Sequence, residues 1–462
     1  MHTMETRSAI GLILMLGILG NAAATETAPA PAAPASEAAV PSLNLPATRA
    51  PVIGGDVSTG AAQRSASAGY ELSGAGIGSA STPEQGAILT NAGRGKPIRF
   101  QNGIFVYPAA SLAVGHNDNV GGTDTNETSS KIVILRPEVV AEMKRSGDRY
   151  TLSYAGNFGR YTSSTDDNFR HHDIWLAGDN YFTTRARLGW GVGYQWRSDA
   201  RGSTDRVNTS DSPDEWRAPV ARLVAIYGAP GARGRLELES SWMQKRYTNN
   251  RINTRTSDVD MHMVAGRFFF RVMPKTSMLF EARNTWSDYI SPASTSDNSY
   301  RKLLVGATWD MTAKTTGVIK LGRASKDYDA KNRRDPSGGT WEAGISWAPL
   351  TYSVVNLQTA QDIADSSSGA NNYYIDNRSY TVSWDHKWAS YVTSNVNAGV
   401  VRSEYNGIIR DDTTKNYGVG FYRELGYNFR AGINWNRTKR DSNVNGLDFK
   451  RDVFMLTLEA VL

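Results

Sequence analysis

Histidine and carboxylate placement decides first whether this chain could do covalent chemistry. Of its six histidines, His171 and His172 are adjacent. Neighbours on an extended strand leave opposite faces, so the pair cannot close on one metal ion. The stretch Gly115-His116-Asn117-Asp118-Asn119 gathers an imidazole and a carboxylate of the kind that hold a water or a nucleophile in a hydrolase. It lies where a strand passes into a loop, and short polar residues there serve as turn formers. The Asp-rich loops lack the regular spacing of a cation-binding loop. Cysteine is absent, which removes thiolate chemistry. The reading is of a non-enzyme with no catalytic residue, no metal and no cofactor.

The remaining chemistry is electrostatic. Arg136, Arg187, Arg197, Arg235, Arg267, Arg271, Arg283, Lys320 and Arg430 supply positive charge, and Glu138, Glu142, Glu237, Glu239, Glu281, Asp310, Glu342, Asp385 and Glu424 supply negative charge. All are assigned to the inward face of strands and form the candidate lumen lining. Charge of both signs in a wide wet tube can steer ions or bind a polyionic solute. It can equally pair across strands and keep a polar wall stiff.

What places these residues is a period of two. In Ala186–Ser198, Ala186, Leu188, Trp190, Val192, Tyr194 and Trp196 alternate with Arg187, Gly189, Gly191, Gly193, Gln195 and Arg197. The same alternation puts Leu236, Leu238 and Trp242 opposite Arg235, Glu237 and Glu239, and Ile433 and Trp435 opposite Asn434 and Asn436. Alternation is the signature of strands with one apolar face. Short turns recur about every 40 residues, at Gly147, Thr183, Gly228, Pro274, Lys314, Pro349, Ala389 and Gly426, and long polar loops separate them. Eight hairpins give sixteen strands, and one strand before (Gly103–Gly115) and one after (Arg451–Leu462) bring the count to eighteen.

An antiparallel sandwich would also alternate. Strands of about 11 to 15 residues exceed the usual 5–6, and the two ends of a sandwich have no reason to differ so consistently in loop length. Aromatics gather near the short turns (Tyr150, Phe182, Tyr227, Trp309, Trp347, Tyr427), as in an interfacial girdle. In hydrocarbon every backbone N–H and C=O must be satisfied within the protein, so such a sheet must close. The expected fold is an all-β transmembrane antiparallel up-and-down barrel of about eighteen strands over residues 99–462.

Ahead of it, residues 1–24 read as an export signal peptide, with the apolar run Ala9–Gly20 too short to span a bilayer. Residues 25–98, rich in Ala, Pro and Gly, read as a flexible periplasmic arm. Basic and acidic residues are interleaved around a formal net charge of +6, which fits a mixed surface rather than a nucleic-acid footprint. The last strand alternates Phe454, Leu456, Leu458, Ala460 and Leu462 and is similar to the targeting strand of outer-membrane proteins, with Leu where Phe or Trp is usual.

The opening strand "IFVYPAASLAVGHNDNV" and the hairpin "ILRPEVVAEMKRSGDRYTLSYAGNFGRY" resemble the Putative beta-barrel porin 2 family, through His116-Asn117-Asp118-Asn119 and Arg136-Pro137-Glu138-Val139. Within that family the chain is similar to EpsL-type outer-membrane proteins associated with exopolysaccharide systems. The resemblance implies export of a polysaccharide from periplasm to exterior. The implied partners are outer-membrane lipid and lipopolysaccharide, the barrel-assembly machinery, periplasmic polysaccharide-export components and the polysaccharide itself, with no nucleic acid. Rival readings are a general diffusion porin, favoured by a long loop folded into the lumen, a surface receptor or structural barrel, and a barrel enzyme acting on lipid or glycan.

Overall fold

The computed structural model describes residues 97–462 apart from 207–209, 230, 313, 369, 427 and 462. The signal peptide and nearly all of the expected arm lie outside the described residues, as do Tyr427, Leu462 and the side chain of Asp310. Ile98, assigned to the arm, instead opens a two-residue strand, β1 (Ile98–Arg99).

Eighteen long strands follow. They are β2 (Ile104–Asn117), β3 (Ser130–Arg145), β4 (Asp148–Tyr161), β5 (Phe169–Tyr181), β6 (Ala186–Asp199) and β7 (Asp214–Tyr227). Next come β8 (Gly234–Tyr247), β9 (Val259–Met273), β10 (Thr276–Tyr289), β11 (Asn298–Thr312), β12 (Thr315–Tyr328) and β13 (Ser337–Leu350). The last are β14 (Ser353–Asp365), β15 (Tyr374–Ala389), β16 (Val392–Asn406), β17 (Arg410–Glu424), β18 (Phe429–Ser442) and β19 (Phe449–Val461). Each pairs antiparallel with its sequence neighbour, and β19 pairs with β2 from Val453↔Asn117 to Val461↔Ala109, which closes the ring. β1 pairs with β2 at Val106 and Phe105, just past the point where β19 runs out. Closure leaves no long unpaired edge, the condition a sheet in hydrocarbon must meet.

The eight short connections fall within two residues of the positions read from the sequence, with Pro349 and Ala389 at the ends of β13 and β15 rather than in the turns. At the first, Ser146 and Gly147 both take positive φ (52° and 93°), as a hairpin twisted like its strands requires. The terminal strands differ at their ends: β2 continues two residues past Gly115, and β19 starts at Phe449 rather than Arg451.

The apolar face points outward along the whole ring. Leu303, Leu321, Ile433, Phe454 and Leu456 are exposed, which is unstable in water and correct for a lipid-facing band. Near the short turns Phe182, Tyr227, Trp347, Trp388 and Tyr391 are exposed on the exterior, an aromatic girdle.

The inner face departs from uniform polarity. Ala113, Ile132, Ile134, Tyr161, Phe169, Val453 and Met455 form a buried apolar cluster, and Val120 of the β2–β3 loop packs into it. A second cluster gathers Trp216, Ala218, Val220, Met243 and Tyr247, with Trp175 against it. The inward Gly193 is a packing position. A Cβ there would lie 2.6 Å from Cδ2 of the Trp175 ring, so the glycine makes room for a neighbouring aromatic.

Candidate functional site: the lumen wall and its mouth

Across β7 to β14 the inward charges join into one ladder. Glu239 takes Nε of Arg222 at 2.7 Å and Nη1 of Arg267 at 2.7 Å. Arg267 reaches Glu281 at 3.5 Å and Glu237 at 4.0 Å, and Arg235 pairs with Glu237 at 3.2 Å. Glu281 also takes Lys320 at 3.0 Å and pairs with Arg283. Glu342 then gathers Arg283 at 2.7 Å, Lys302 at 3.3 Å and Lys320, and Lys302 continues to Asp362 at 2.7 Å. The side chains of Lys320 and Glu281 are 1% and 0% exposed, so these ions answer one another rather than a solute.

Most of the other sequence-assigned charges are also paired. Arg136 donates to Oδ1 of Asn157 at 3.0 Å, Arg187 pairs with Asp179, Arg197 with Asp173 at 2.9 Å, and Nε of Arg430 with Glu459 at 2.7 Å. Glu142 accepts from Lys144 at 3.1 Å, and Asp385 accepts from the Asn395 amide at 2.8 Å. Glu138, Glu424 and Arg271 occupy inward strand positions on β3, β17 and β9. Lys245 and Asp199 are reached by counting in twos from Arg235 and Arg187 on the same strands, whereas Asp173 and Asp179 of β5, Arg222 of β7 and Asp362 of β14 stand on strands where the sequence pointed to no inward charge. Lys245 pairs with Asp199 at 3.1 Å beneath the hydroxyl of Tyr247.

The opposite arc is different. On β16, β17 and β18 the middle of the inner wall carries Asn395, Asn397, Asn416, Asn434, Asn436 and Thr438, all half-buried. Amides lie flat over glycine: a Cβ on Gly418 would sit 2.5 Å from Nδ2 of Asn397 and 2.7 Å from Oδ1 of Asn436. Tyr422 donates to Oδ1 of Asn434 at 2.5 Å, and Thr438 to Oδ1 of Asn416 at 2.9 Å. Each Asn offers both donors and an acceptor with no net charge.

At the long-loop end, residues 200–206 between β6 and β7 reach across the mouth. Arg201 donates Nε to Asp167 at 2.7 Å, and its carbonyl accepts from Arg451 at 3.2 Å. Arg440 donates to the carbonyls of Gly202 and Thr204 at 3.3 Å. The Asp205 carboxylate accepts from Ser366 Oγ and Ser367 N at 2.8 Å and from the Tyr373 hydroxyl at 2.9 Å, and its carbonyl accepts from Arg410 at 2.6 Å. Arg206 donates to the Ser367 carbonyl at 2.8 Å and to Ser257 Oγ at 3.0 Å. In the closed order β14 lies seven strands beyond β7, and β17 lies seven strands before β6. One short segment therefore ties both far walls together. Burial, and then the Asp205 carboxylate, push the Tyr373 hydroxyl up to about 12.

Among the described residues, His116, His171 and His172 do not come together at one site. His116 is exposed opposite Phe454, and the Asp118 carboxylate accepts the Asp452 backbone N–H at 2.7 Å. His171 is buried and accepts the Ser198 N–H at 3.1 Å, whereas His172 shares a hydrogen bond with Tyr154 on the other face.

A closed eighteen-strand ring, greasy outside and hydrophilic along most of its bore, defines a porin-like outer-membrane β-barrel of the channel type. The chain belongs to the Putative beta-barrel porin 2 family, matching it over residues 100–461. Among solved structures the barrel is similar to Pseudomonas aeruginosa OpdO, at 12% identity and a TM-score of 0.44 over 77% of this chain and 97% of that one. It is similar to Pseudomonas aeruginosa opdK at 13% and 0.46 over 77% and 99%. It is also similar to a BenF-like porin from Pseudomonas fluorescens Pf-5 at 10% and 0.47, again over 77% and 99%. No curated protein matches the chain.

Proposed function

We propose that this barrel is a passive outer-membrane conduit for a saccharide, and that its cargo is an exopolysaccharide leaving the periplasm. The observation that carries the reading is the neutral amide wall of β16–β18. Asn and Thr side chains match sugar hydroxyls as both donors and acceptors, while the charged wall opposite is self-paired and has little left to offer a polyion. The resemblance to exopolysaccharide-associated barrels supplies the direction of transport. Residues 1–24 direct export, the Ala/Pro/Gly-rich residues ahead of β1 serve as a periplasmic arm that recruits export components, and the barrel-assembly machinery inserts the strands in a membrane rich in lipopolysaccharide.

The second reading, a diffusion porin for small hydrophilic solutes, is favoured by residues 200–206 held across the mouth. Two measurements separate them. Deleting the chain from its native cell should leave polymer in the periplasm under the first reading and should lower uptake of small sugars under the second. Planar-bilayer conductance with sized neutral sugars should show blockade by long chains under the first, and exclusion of everything beyond a short oligosaccharide under the second. Unchanged polymer secretion in the deletion strain would remove the export reading.

A further inference from the structure

The exterior of β15–β19 carries positive charges in direct cross-strand register. Arg378 faces Arg402, Lys415 faces Lys439, and Lys439 faces Lys450. Like charges directly opposite on one face of a sheet repel. The neighbouring carboxylates answer them only in part. Asp441 is shared by Lys439 at 2.6 Å and Lys415 at 3.3 Å, and Asp452 takes Lys450 at 3.4 Å. Asp376 and Glu404 both lean on Arg378, at 3.2 and 3.8 Å. Arg402 has neither an ion pair nor a side-chain hydrogen bond among the described residues.

Lys415, Lys439 and Lys450 are directly opposed in the ladder, and Arg402 lies two residues beyond the register position of Lys415, toward the long loops. On β17 the outward residues below Lys415 are Tyr417, Val419 and Phe421, and Arg423 follows. Eight residues from Lys415 to Arg423 run about 27 Å along the strand, or roughly 21 Å in height at the usual barrel tilt, close to the ~25 Å apolar band. Lys415 and its row therefore mark the long-loop edge of the band, the outer leaflet.

Directly beneath them the exterior is concave. A shallow, open groove of about 390 Å³ is lined by Ala343, Leu357, Tyr380, Ala398, Val400 and Tyr417. Val400 lies in register with Tyr380 and Lys415, and Arg402 is the next outward residue above it on β16. The groove thus opens at its upper end onto the unpaired guanidinium and the lysine row.

We propose that this surface is a binding site for a phosphate-bearing lipid of the outer leaflet, with an acyl chain in the groove and the phosphate on Arg402, Lys415 and Lys439. A phosphate supplies the negative charge that the facing cations lack, and a guanidinium meets it with two parallel hydrogen bonds. The apolar groove alone would accept any chain, and the cation row alone any anion. Their adjacency selects a molecule that has both.

The test is lipid retention by the full-length protein after detergent exchange, measured by mass spectrometry, with diphosphoryl lipid A and a neutral phosphatidylcholine as probes. The wild type should retain lipid A over the neutral lipid. The R402Q/K415Q/K439Q variant should retain at least tenfold less lipid A. A398W should lose it as well, with every charge intact, because the indole fills the groove. R217Q, which alters the exterior Arg217↔Arg246 pair elsewhere on the ring, should bind like the wild type. Gel heat-modifiability confirms that each variant is a folded barrel. Equal retention by the triple variant, equal retention of the neutral lipid, or loss in R217Q would overturn the site without touching the channel reading, which stands on conductance.

Discussion

The Tyr373 hydroxyl donates to the Asp205 carboxylate at 2.9 Å, although the two residues come from loops that belong to opposite arcs of the barrel. Asp205 is nearly fully buried there and also accepts from Ser366 and Ser367. Three donors from the β14–β15 loop thus hold the 200–206 segment across the mouth.

Asp205→Ala should loosen the segment. It removes three hydrogen bonds to a charged acceptor, each worth about 1.5–3 kcal/mol, and each 1.4 kcal/mol is about tenfold in the open population. Single-channel recordings in planar bilayers should show more frequent or larger open events than in the wild type, with heat-modifiability of the barrel retained. Identical traces would mean the segment does not limit conduction.

Alkaline pH should release the same junction. The Tyr373 hydroxyl has its folded value raised to about 12 from the ordinary 10, first by burial and then by Asp205. A raised value means that the folded form holds the proton more tightly, so the contribution is complete below pH 10 and is lost as pH climbs through about 12. Conductance of the wild type should rise between about pH 10 and 12. In Tyr373→Phe, which has nothing to titrate there, that component of the rise should be missing.

Removing one carboxylate from the ladder should cost far more than a surface charge would. Glu342→Ala leaves Arg283, Lys302 and Lys320 without the acceptor that they share, and breaking a buried ion pair from one side costs about 3–5 kcal/mol. Urea unfolding of the detergent-folded barrel should show a lower midpoint, with the unfolding free energy reduced by that amount. A shift under about 1 kcal/mol, as for an exposed pair, would show that water reaches the ladder.

Gly193→Val tests the claim that this glycine serves packing. The new Cβ would fall 2.6 Å from the Trp175 ring and 2.8 Å from the Ile174 carbonyl, and the backbone contact cannot yield. Overpacking of this kind costs about 1–3 kcal/mol. A lowered unfolding midpoint with altered tryptophan fluorescence is expected, and a neutral effect would show that the glycine is not needed to seat the Trp175 ring.

The sequence by itself determined the strands, their number and which face of each meets lipid, because these follow from alternation and turn chemistry within a dozen residues. Leu236, Leu303 and Ile433 face outward as parity demands, and Glu237, Lys320 and Arg430 are buried on the inner side. Parity also makes Lys302 and Asp199 inward. It cannot say with whom they pair, because Arg283 meets Glu342 across 59 positions and only the summed register of the intervening strands sets that distance. The polar loops likewise look alike in composition, and nothing in them marks residues 200–206 as a segment that crosses the mouth. That outcome depends on Arg410, Arg440 and Arg451 standing on the far wall once the ring has closed. Facing is a local property of an extended chain, whereas partnership across a bore is a property of the closed cylinder, and only the tertiary structure decided it.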